Sequence, residues 1–256
     1  MAESPATPDA LLATTALGRN FGGLAAVRDV SIRLHRGELH AVIGPNGAGK
    51  STLVNMLSGH LAPTSGSIWL NGRDVTGEPA WRMTRLGIGR SFQRTDLLAS
   101  LSVLENVRLA AQGVAELPAT RLLRSARREL TLLEAAYEAL ERVGLADAAH
   151  RQSGVLSHGE QRQLEIAMAL ATRPQVLLLD EPLAGMGPEE GERFTYLLKD
   201  LAREHAVLLV EHDMDFVFAV ADRMTVMVDG TVLAEGLPAD VRASREVQRA
   251  YLGGHA

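Results

Sequence analysis

The chain has no cysteine among its 256 residues, which excludes a disulfide framework and thiol chemistry. It has no apolar run of 18 residues, so no segment has the length of a membrane-spanning helix. It has no surplus of positive charge. The formal net charge is −5, which argues against a nucleic-acid binder held by bulk electrostatics. Internal repeats and low-complexity stretches are missing, and so is the Asn-Lys-x-Asp motif of a guanine pocket. The first residues, Met1 to Pro8, are polar and rich in Pro, Ser and Ala. They lack the pattern of a signal peptide and lead to the expectation of a flexible tail over 1–12. What is present is a globular composition, 46% hydrophobic and 22% charged. The length suits one large domain or two lobes with a sizeable core.

The most informative stretch is Gly44-Pro45-Asn46-Gly47-Ala48-Gly49-Lys50-Ser51-Thr52. It fits the phosphate-loop template G-x-x-x-x-G-K-[ST] at every fixed position and follows a strand-like run, Leu39 to Ile43. Glycines let the backbone curl so that consecutive N–H groups face phosphate oxygens. A helix opening at Gly49 adds its positive dipole end to the same spot. Lys50 is placed to reach the β- and γ-phosphates, Ser51 to ligate Mg²⁺, and Thr52 to donate to a phosphate oxygen. The plain alternative is a glycine turn before a helix with an exposed lysine.

Mixed strand and helix patterns fill the rest. Val27 to Leu34 alternates and reads as one strand with a buried face. Ser67 to Leu70 and Ile88 to Phe92 read as short strands. Val176 to Leu179 and Ala206 to Val210 are apolar throughout, as in parallel sheets covered on both sides. Helices are expected over Pro188 to Glu204 and Met214 to Ala221. A hairpin is expected from Met224 to Ala234 around Asp229-Gly230. Between Leu97 and Leu156 the pattern is helical. Leu123, Ala126, Leu130, Leu133, Tyr137 and Leu140 form one apolar stripe on a long helix, and Arg121, Arg124, Arg127 and Arg128 read as a solvated face. A helical subdomain, about 94–157, is thus expected within an α/β core. Asp180 and Glu181 close the strand over Val176 to Leu179. A carboxylate there sits where open α/β sheets bind ligands. Asp180 suits Mg²⁺, and Glu181 can polarise a water attacking the γ-phosphate.

At Leu156-Ser157-His158-Gly159-Glu160-Gln161 the chain resembles the ABC ATPase family, whose signature is usually Leu-Ser-Gly-Gly-Gln. The resemblance extends from about Thr14 to Tyr251 and implies a P-loop NTPase core with an inserted helical subdomain and an N-terminal antiparallel β element. It implies that Ser157, Gly159 and Glu160 face ATP held by a partner cassette. It further implies that Gln93 reaches Mg²⁺ and the attacking water, that His212 contacts the γ-phosphate, and that Phe21, 23 residues before Gly44, stacks on adenine. Ala184 to Gly187 matches the loop that crosses the dimer interface. His158 stands where the family has glycine.

Phe21-Gly22-Gly23-Leu24, Gly89 to Gln93, Leu104 to Val107, Gly159 to Arg162, Ala184 to Glu190, Glu211 to Met214 and Ala250 to Gly253 resemble the ATPase subunit of bacterial branched-chain amino acid importers. That resemblance implies ATP hydrolysis driving uptake through transmembrane permease subunits, with a second cassette as homodimer or paralogue heterodimer. It implies a periplasmic solute-binding protein as indirect partner, no nucleic acid, and a place on the cytoplasmic face of the inner membrane. The urea and short-chain amide importer ATPase shares most of these stretches and stays open as the alternative. A non-transport ABC ATPase acting on nucleic acid or the ribosome is a third reading. A P-loop kinase or GTPase is a fourth.

Overall fold

The computed structural model describes residues 10–91, 97–115 and 125–252. Strand β1 runs from Ala10 to Phe21 and pairs antiparallel with β2, Leu24–Val30, and β3, Arg33–His35. After β4, Leu39–Ile43, comes helix α1, Lys50–Leu57. Strands β5, Ser65–Leu70, and β6, Arg73–Asp74, complete the first sheet, ordered β2-β1-β5-β6 with β3 also on β1. Helix α2, Ala80–Arg85, leads to β7, Ile88–Arg90. Helices α3, Val103–Val114, α4, Ser125–Arg142, and α5, His158–Ala171, follow. The chain then returns through β8, Val176–Asp180, α6, Pro188–Glu204, β9, Ala206–Val210, and α7, Met214–Val220. Strands β10, Arg223–Val228, and β11, Thr231–Gly236, precede α8, Pro238–Ala243, and α9, Arg245–Leu252.

The second sheet is ordered β11-β10-β4-β9-β8-β7 and is parallel except for β11 at its edge. Every residue of β4, β8 and β9 is buried, because layers cover both faces. Leu177, Leu179, Val207 and Leu209 pack with α3 to α6 on one side. Val42, Val176, Leu178, Leu208 and Val210 pack on the other with α1 and the first sheet. The two-residue period of a strand thus sends alternate side chains into two different cores. β4 is flanked by β9 and β10, each reached by a separate excursion of the chain. That makes its C-terminal end a topological switch point, where such sheets hold ligands.

Three expectations change. The tail over 1–12 is shorter, since Ala10 already belongs to β1 and Leu12 is buried beneath it; residues 1–9 lie outside the described residues. The single strand over Val27 to Leu34 is two, both paired with β1, because Asp29 takes a left-handed φ of 50° just before Val30 and interrupts the ladder. Among the described side chains, the apolar stripe on α4 is buried toward its C-terminal end. Leu130 is 60% exposed, whereas Ala136, Ala139 and Leu140 are buried against α3 and α5. Leu123 and the cluster Arg121 and Arg124 lie outside the described residues, and the side chains of Ala126, Arg127 and Arg128 are not described.

Candidate nucleotide site

Gly44 to Thr52 joins the C-terminal end of β4 to α1. Gly49 is the N-cap of α1 with φ 96°, and a Cβ there would lie 2.4 Å from the Ala26 carbonyl of β2. At Gly44 a Cβ would lie 2.1 Å from the Met227 carbonyl of β10. The loop is therefore pressed between two strands, and only glycine allows the approach. No side chain caps α1, so the amide groups of its first turn keep their hydrogens for an anion. Pro45 is half-buried, Asn46 and Gly47 are exposed, and Ala48 is buried. The Ser51 hydroxyl is at an exposed position on the first turn, with Thr52 half-buried beside it.

Lys50 is 9% exposed, and its ammonium donates to the Gly44 carbonyl at 2.6 Å and the Pro45 carbonyl at 3.0 Å. Burial pulls its pKa down, opposed by the charges of Glu181 and Asp180. The ammonium so spans its own loop, at the centre of the curl.

Asp180 ends β8 and is 2% exposed. Burial raises its pKa, with the nearby Arg90 guanidinium pulling the other way. Arg90 lies 3.8 Å from Asp180 Oδ2 and donates to Asn55 Oδ1 of α1 and to Oγ of Ser58, which follows that helix, each at 2.7 Å. Asp180 Oδ1 is buried with no hydrogen-bond partner among the described residues. An ionised oxygen in that position is costly unless something cationic meets it. A hydroxyl, one buried carboxylate oxygen and phosphate oxygens make the hard, oxygen-only donor set that Mg²⁺ takes, so Ser51 and Asp180 fit the ion. Gln93, the third expected ligand, lies outside the described residues.

Glu181 sits at φ 48°, a left-handed conformation that costs a non-glycine residue on the order of 1 kcal/mol or more. Its N–H donates to the Val210 carbonyl of β9 at 2.8 Å, which holds the turn. His212 follows β9 and is 70% exposed at the same edge. Between them Glu211, 1% exposed, accepts from the Leu183 N–H at 3.0 Å and the His212 N–H at 3.2 Å. Burial raises its pKa. Glu211 therefore ties the loop after Glu181 to the backbone of His212. Sequence reasoning missed this residue and Arg90. The signal for Glu211 was available, since it closes the apolar run of β9 as Asp180 closes that of β8. Arg90 carries no comparable mark.

Phe21 stands at the tip of the β1–β2 hairpin, 47% exposed, with the Arg19 guanidinium 4.8 Å over its ring. The same hairpin lies over the phosphate loop through Ala26 and Val27. An exposed aromatic face beside the loop is a platform for a planar base.

A second cluster forms at the start of α5. Ser157 is its N-cap and accepts from the Glu160 N–H at 3.2 Å, while Glu160 accepts from the Ser157 N–H at 2.8 Å. The Glu160 carboxylate also meets Arg151 at 2.8 Å. The Ser157 backbone bond, first among these contacts, lowers the Glu160 pKa. Gly159 is buried, and a Cβ on it would come 2.8 Å from the Glu190 carboxylate at the start of α6. His158 is exposed and lies against Gly185 of the 184–187 loop, its Cβ 3.7 Å from where a Cβ would sit there. Lys50, Arg90, Asp180 and Glu181 thus gather at the phosphate loop. Ser157, His158 and Gly159 gather instead at the start of α6, as a half-site of their own.

The comparisons with known proteins agree with this geometry. Residues 27–184 match the family model described as ABC transporter, and residues 231–256 match the one described as branched-chain amino acid ATP-binding cassette transporter. The chain is 41% identical to the high-affinity branched-chain amino acid transport ATP-binding protein LivG of Salmonella typhimurium, over 95% of this chain and 98% of that one. It is 39% identical to BraF of Pseudomonas aeruginosa, a protein with the same description, over the same shares. Among solved structures, an ATP-binding cassette of an ABC transporter in its ADP conformation aligns with TM-score 0.85 and 31% identity, over 95% of this chain and 99% of that one. A dimeric bacterial ABC transporter cassette aligns with TM-score 0.77 and 26% identity, over 89% and 98%. An uncapped helix behind a glycine loop, buried acids at neighbouring strand ends and these matches lead to one conclusion: the chain belongs to the ABC transporter family, as an ATP-binding cassette of the branched-chain amino acid group.

Proposed function

We propose that this cassette is the ATP-hydrolysing subunit of an importer of branched-chain amino acids, held on the cytoplasmic face of the membrane by permease subunits. The match of residues 231–256 to the branched-chain amino acid cassette model carries the choice of solute. It favours amino acids over urea or short amides.

ATP binds with its base against Phe21 and its phosphates in the curl from Gly44 to Thr52. Lys50 leaves the Gly44 and Pro45 carbonyls for the β- and γ-phosphates. Ser51, Asp180 and Gln93 would hold Mg²⁺, which would supply charge neutralisation at the phosphates. Glu181 takes a proton from the attacking water, and His212 donates to the γ-phosphate. Ser157, Gly159 and Glu160 of a second cassette close the site from the other side. The dimeric relative supports that arrangement. A groove of about 250 Å³ between Arg90 and His60 on one side and Leu97, Glu165 and Met168 on the other suits a short helix of the permease. Arg90 and Leu97, which line it, flank in sequence the segment that contains Gln93.

Uptake of labelled leucine and labelled urea in a strain lacking the gene tests the solute. Leucine uptake is expected to fall and urea uptake to stay level, with rescue by the wild-type gene. Glu181→Gln tests the chemistry. Turnover is expected to drop on the order of 10²–10⁴-fold with ATP binding intact, the usual weight of a general base. Near-normal turnover would remove Glu181 from that role.

A further inference from the structure

Strand β7 lies at the edge of the second sheet beside β8, with Arg90 opposite Leu178. The Arg90 side chain is only 10% exposed and reaches across to α1. Nη1 donates to Asn55 Oδ1 and to Ser58 Oγ, each at 2.7 Å. Nη2 is turned to Asp180, 3.8 Å from Oδ2. The two bonds from Nη1 are short, charge-assisted bonds, whereas 3.8 Å is an attraction without a hydrogen bond. The guanidinium is therefore anchored on α1 and offered to Asp180. A shift of about 1 Å in either partner turns the attraction into a hydrogen bond or weakens it further. A lysine could not fill this place. An ammonium is one point of charge, whereas the planar fork holds two partners with one nitrogen and faces a third with the other.

Ser58, the C-cap of α1, extends the contact outward. Its hydroxyl accepts from Arg90, donates to the Val54 carbonyl at 2.8 Å, and lies 3.0 Å from His60 Nδ1. With the hydroxyl hydrogen on Val54, the ring nitrogen is the donor of that last pair. His60 is exposed, on the wall of the groove that Ser58 and Arg90 also line. The charge of Arg90 reaches His60 as well: after burial, it is the next cause that lowers the His60 pKa. A continuous set of polar contacts thus runs from His60 on the groove wall, through Ser58 and Arg90, to the carboxylate assigned to Mg²⁺. None of these three residues has a step in the hydrolysis proposed above.

We propose that Arg90 is a positioning residue that joins the groove to the Asp180 end of β8. Through its bonds to Asn55 and Ser58 it sets the Asp180 carboxylate against α1, and through Ser58 it couples that setting to His60. A carboxylate that takes a divalent ion attracts the guanidinium less. Nη2 is then released, the guanidinium settles on its α1 partners, and the change is felt at Ser58 and His60.

Coupling of this kind is reciprocal. Whatever fills the groove and moves His60 changes the hold of Asp180 on the ion by the same factor that the ion changes the hold of the groove on its occupant. The groove thereby gains a link to the metal position that consists wholly of side chains from α1, its C-cap turn, β7 and β8. The hold on Asp180 rests on the nucleotide reading above, and its meaning for a permease rests on the reading of the groove.

Calorimetry on the full chain tests the hold on Asp180, with a non-hydrolysable ATP analogue titrated once in Mg²⁺ and once in EDTA. In Arg90→Met the ratio of the two affinities is expected to fall about tenfold or more, the usual weight of a partner that orients a metal ligand. The affinity in EDTA is expected to stay near wild type, which a general loss of structure would not allow. Arg90→Lys, which keeps the charge and loses the fork, is expected to recover part of the ratio. Nuclear magnetic resonance of the His60 ring, assigned with His60→Gln, tests the coupling in the same samples. In wild type the ring signals are expected to differ between Mg²⁺ and EDTA, and in Arg90→Met to coincide. Ser58→Ala leaves Arg90 on Asn55 and Asp180, so it is expected to keep the wild-type ratio while the His60 signals coincide. Melting temperatures report folding; if Arg90→Met melts below the assay temperature, Arg90→Lys and Ser58→Ala carry the test. An unchanged ratio in the Arg90 variants would overturn the hold on Asp180. A His60 difference as large in Ser58→Ala as in wild type, or none in wild type, would overturn the coupling. Failure of wild type to bind the analogue in either buffer would instead overturn the nucleotide reading, and this inference with it.

Discussion

Helix α1 begins at a glycine that lies in the left-handed region and that no side chain caps. Helix α5 begins at a serine locked with Glu160 in a complete capping box, further held by Arg151. Both ends are assigned to phosphate, yet one is left bare and the other is finished by its own side chains. The difference follows from what each must do. On the proposed function the loop before α1 surrounds phosphate oxygens with backbone amides, so those amides have to stay uncommitted. On the same proposal the start of α5 has to stand as a formed edge before a second molecule brings the nucleotide to it. Two of its amides, those of Ser157 and Glu160, are therefore satisfied by side chains of the same turn, and the Ser157 hydroxyl hydrogen remains to offer.

The largest expected effect comes from blocking the finished end. Ser157→Arg puts a bulky cation where the partner's γ-phosphate must lie, so hydrolysis is expected to vanish while ATP binding to the single chain stays at its wild-type level. Normal turnover would separate the two ends and sink the shared site. Finishing the bare end is next. Gly49→Ser supplies the cap that α1 lacks, and a serine is ordinarily a favourable N-cap. Here it is expected to destabilise by about 1–3 kcal/mol from the left-handed φ alone, with the Ala26 contact added, and to abolish ATP binding. Denaturant unfolding and nucleotide titration read both outcomes. A more stable protein would show that α1 is bare by accident.

A third change separates stability from chemistry at the bare end. Burial raises the Asp180 pKa, so its ionised form is disfavoured in the folded chain. The stability of the protonated group is present below the unfolded pKa and is lost as pH rises through the folded one. Asp180→Asn removes that loss. It is expected to melt a few degrees higher at pH 8 in the absence of nucleotide, with the gain shrinking as pH falls and Asp180 itself takes up a proton. Mg²⁺-dependent hydrolysis is expected to be lost. The buried Glu211 has the same sign of shift, so Glu211→Gln serves as a control that keeps the metal ligands.

The bare end was legible in the sequence and the finished end partly so. Gly44 to Thr52 can be read because phosphate binding by backbone forces glycine at fixed spacings, and Asp180 with Glu181 because a charged pair after four buried apolar residues has few other uses. Ser157 and Glu160 stand three apart, the spacing of a capping box. The sequence assigned Glu160 to the nucleotide and did not foresee that its carboxylate turns back onto the Ser157 N–H. β1 was the largest omission. Ala10 to Phe21 shows no clean alternation, since it pairs with β2, β3 and β5 in turn and shifts register against each, so its buried face changes along its length. Arg90 matters through partners distant in sequence, and a single chain gives no sign of such pairings.

The smallest effect undoes the finish of α5. Glu160→Ala removes the carboxylate that accepts from Ser157 N–H and pairs with Arg151. The loss of one half of a capping box is expected to cost about 1 kcal/mol at pH 7. The folded Glu160 has a lowered pKa, so its contribution is present above the unfolded carboxylate pKa and is lost as pH falls through the folded one. The gap between wild type and Glu160→Ala should therefore narrow in acid, which urea titrations at neutral and low pH would read. Glu160→Gln, which keeps an acceptor oxygen, should recover most of the stability at neutral pH and show a flatter pH response. If Glu160→Ala instead leaves stability untouched at every pH and lowers ATP turnover in the paired form, the carboxylate acts on the partner's nucleotide, and the two helix ends are less different than their caps imply.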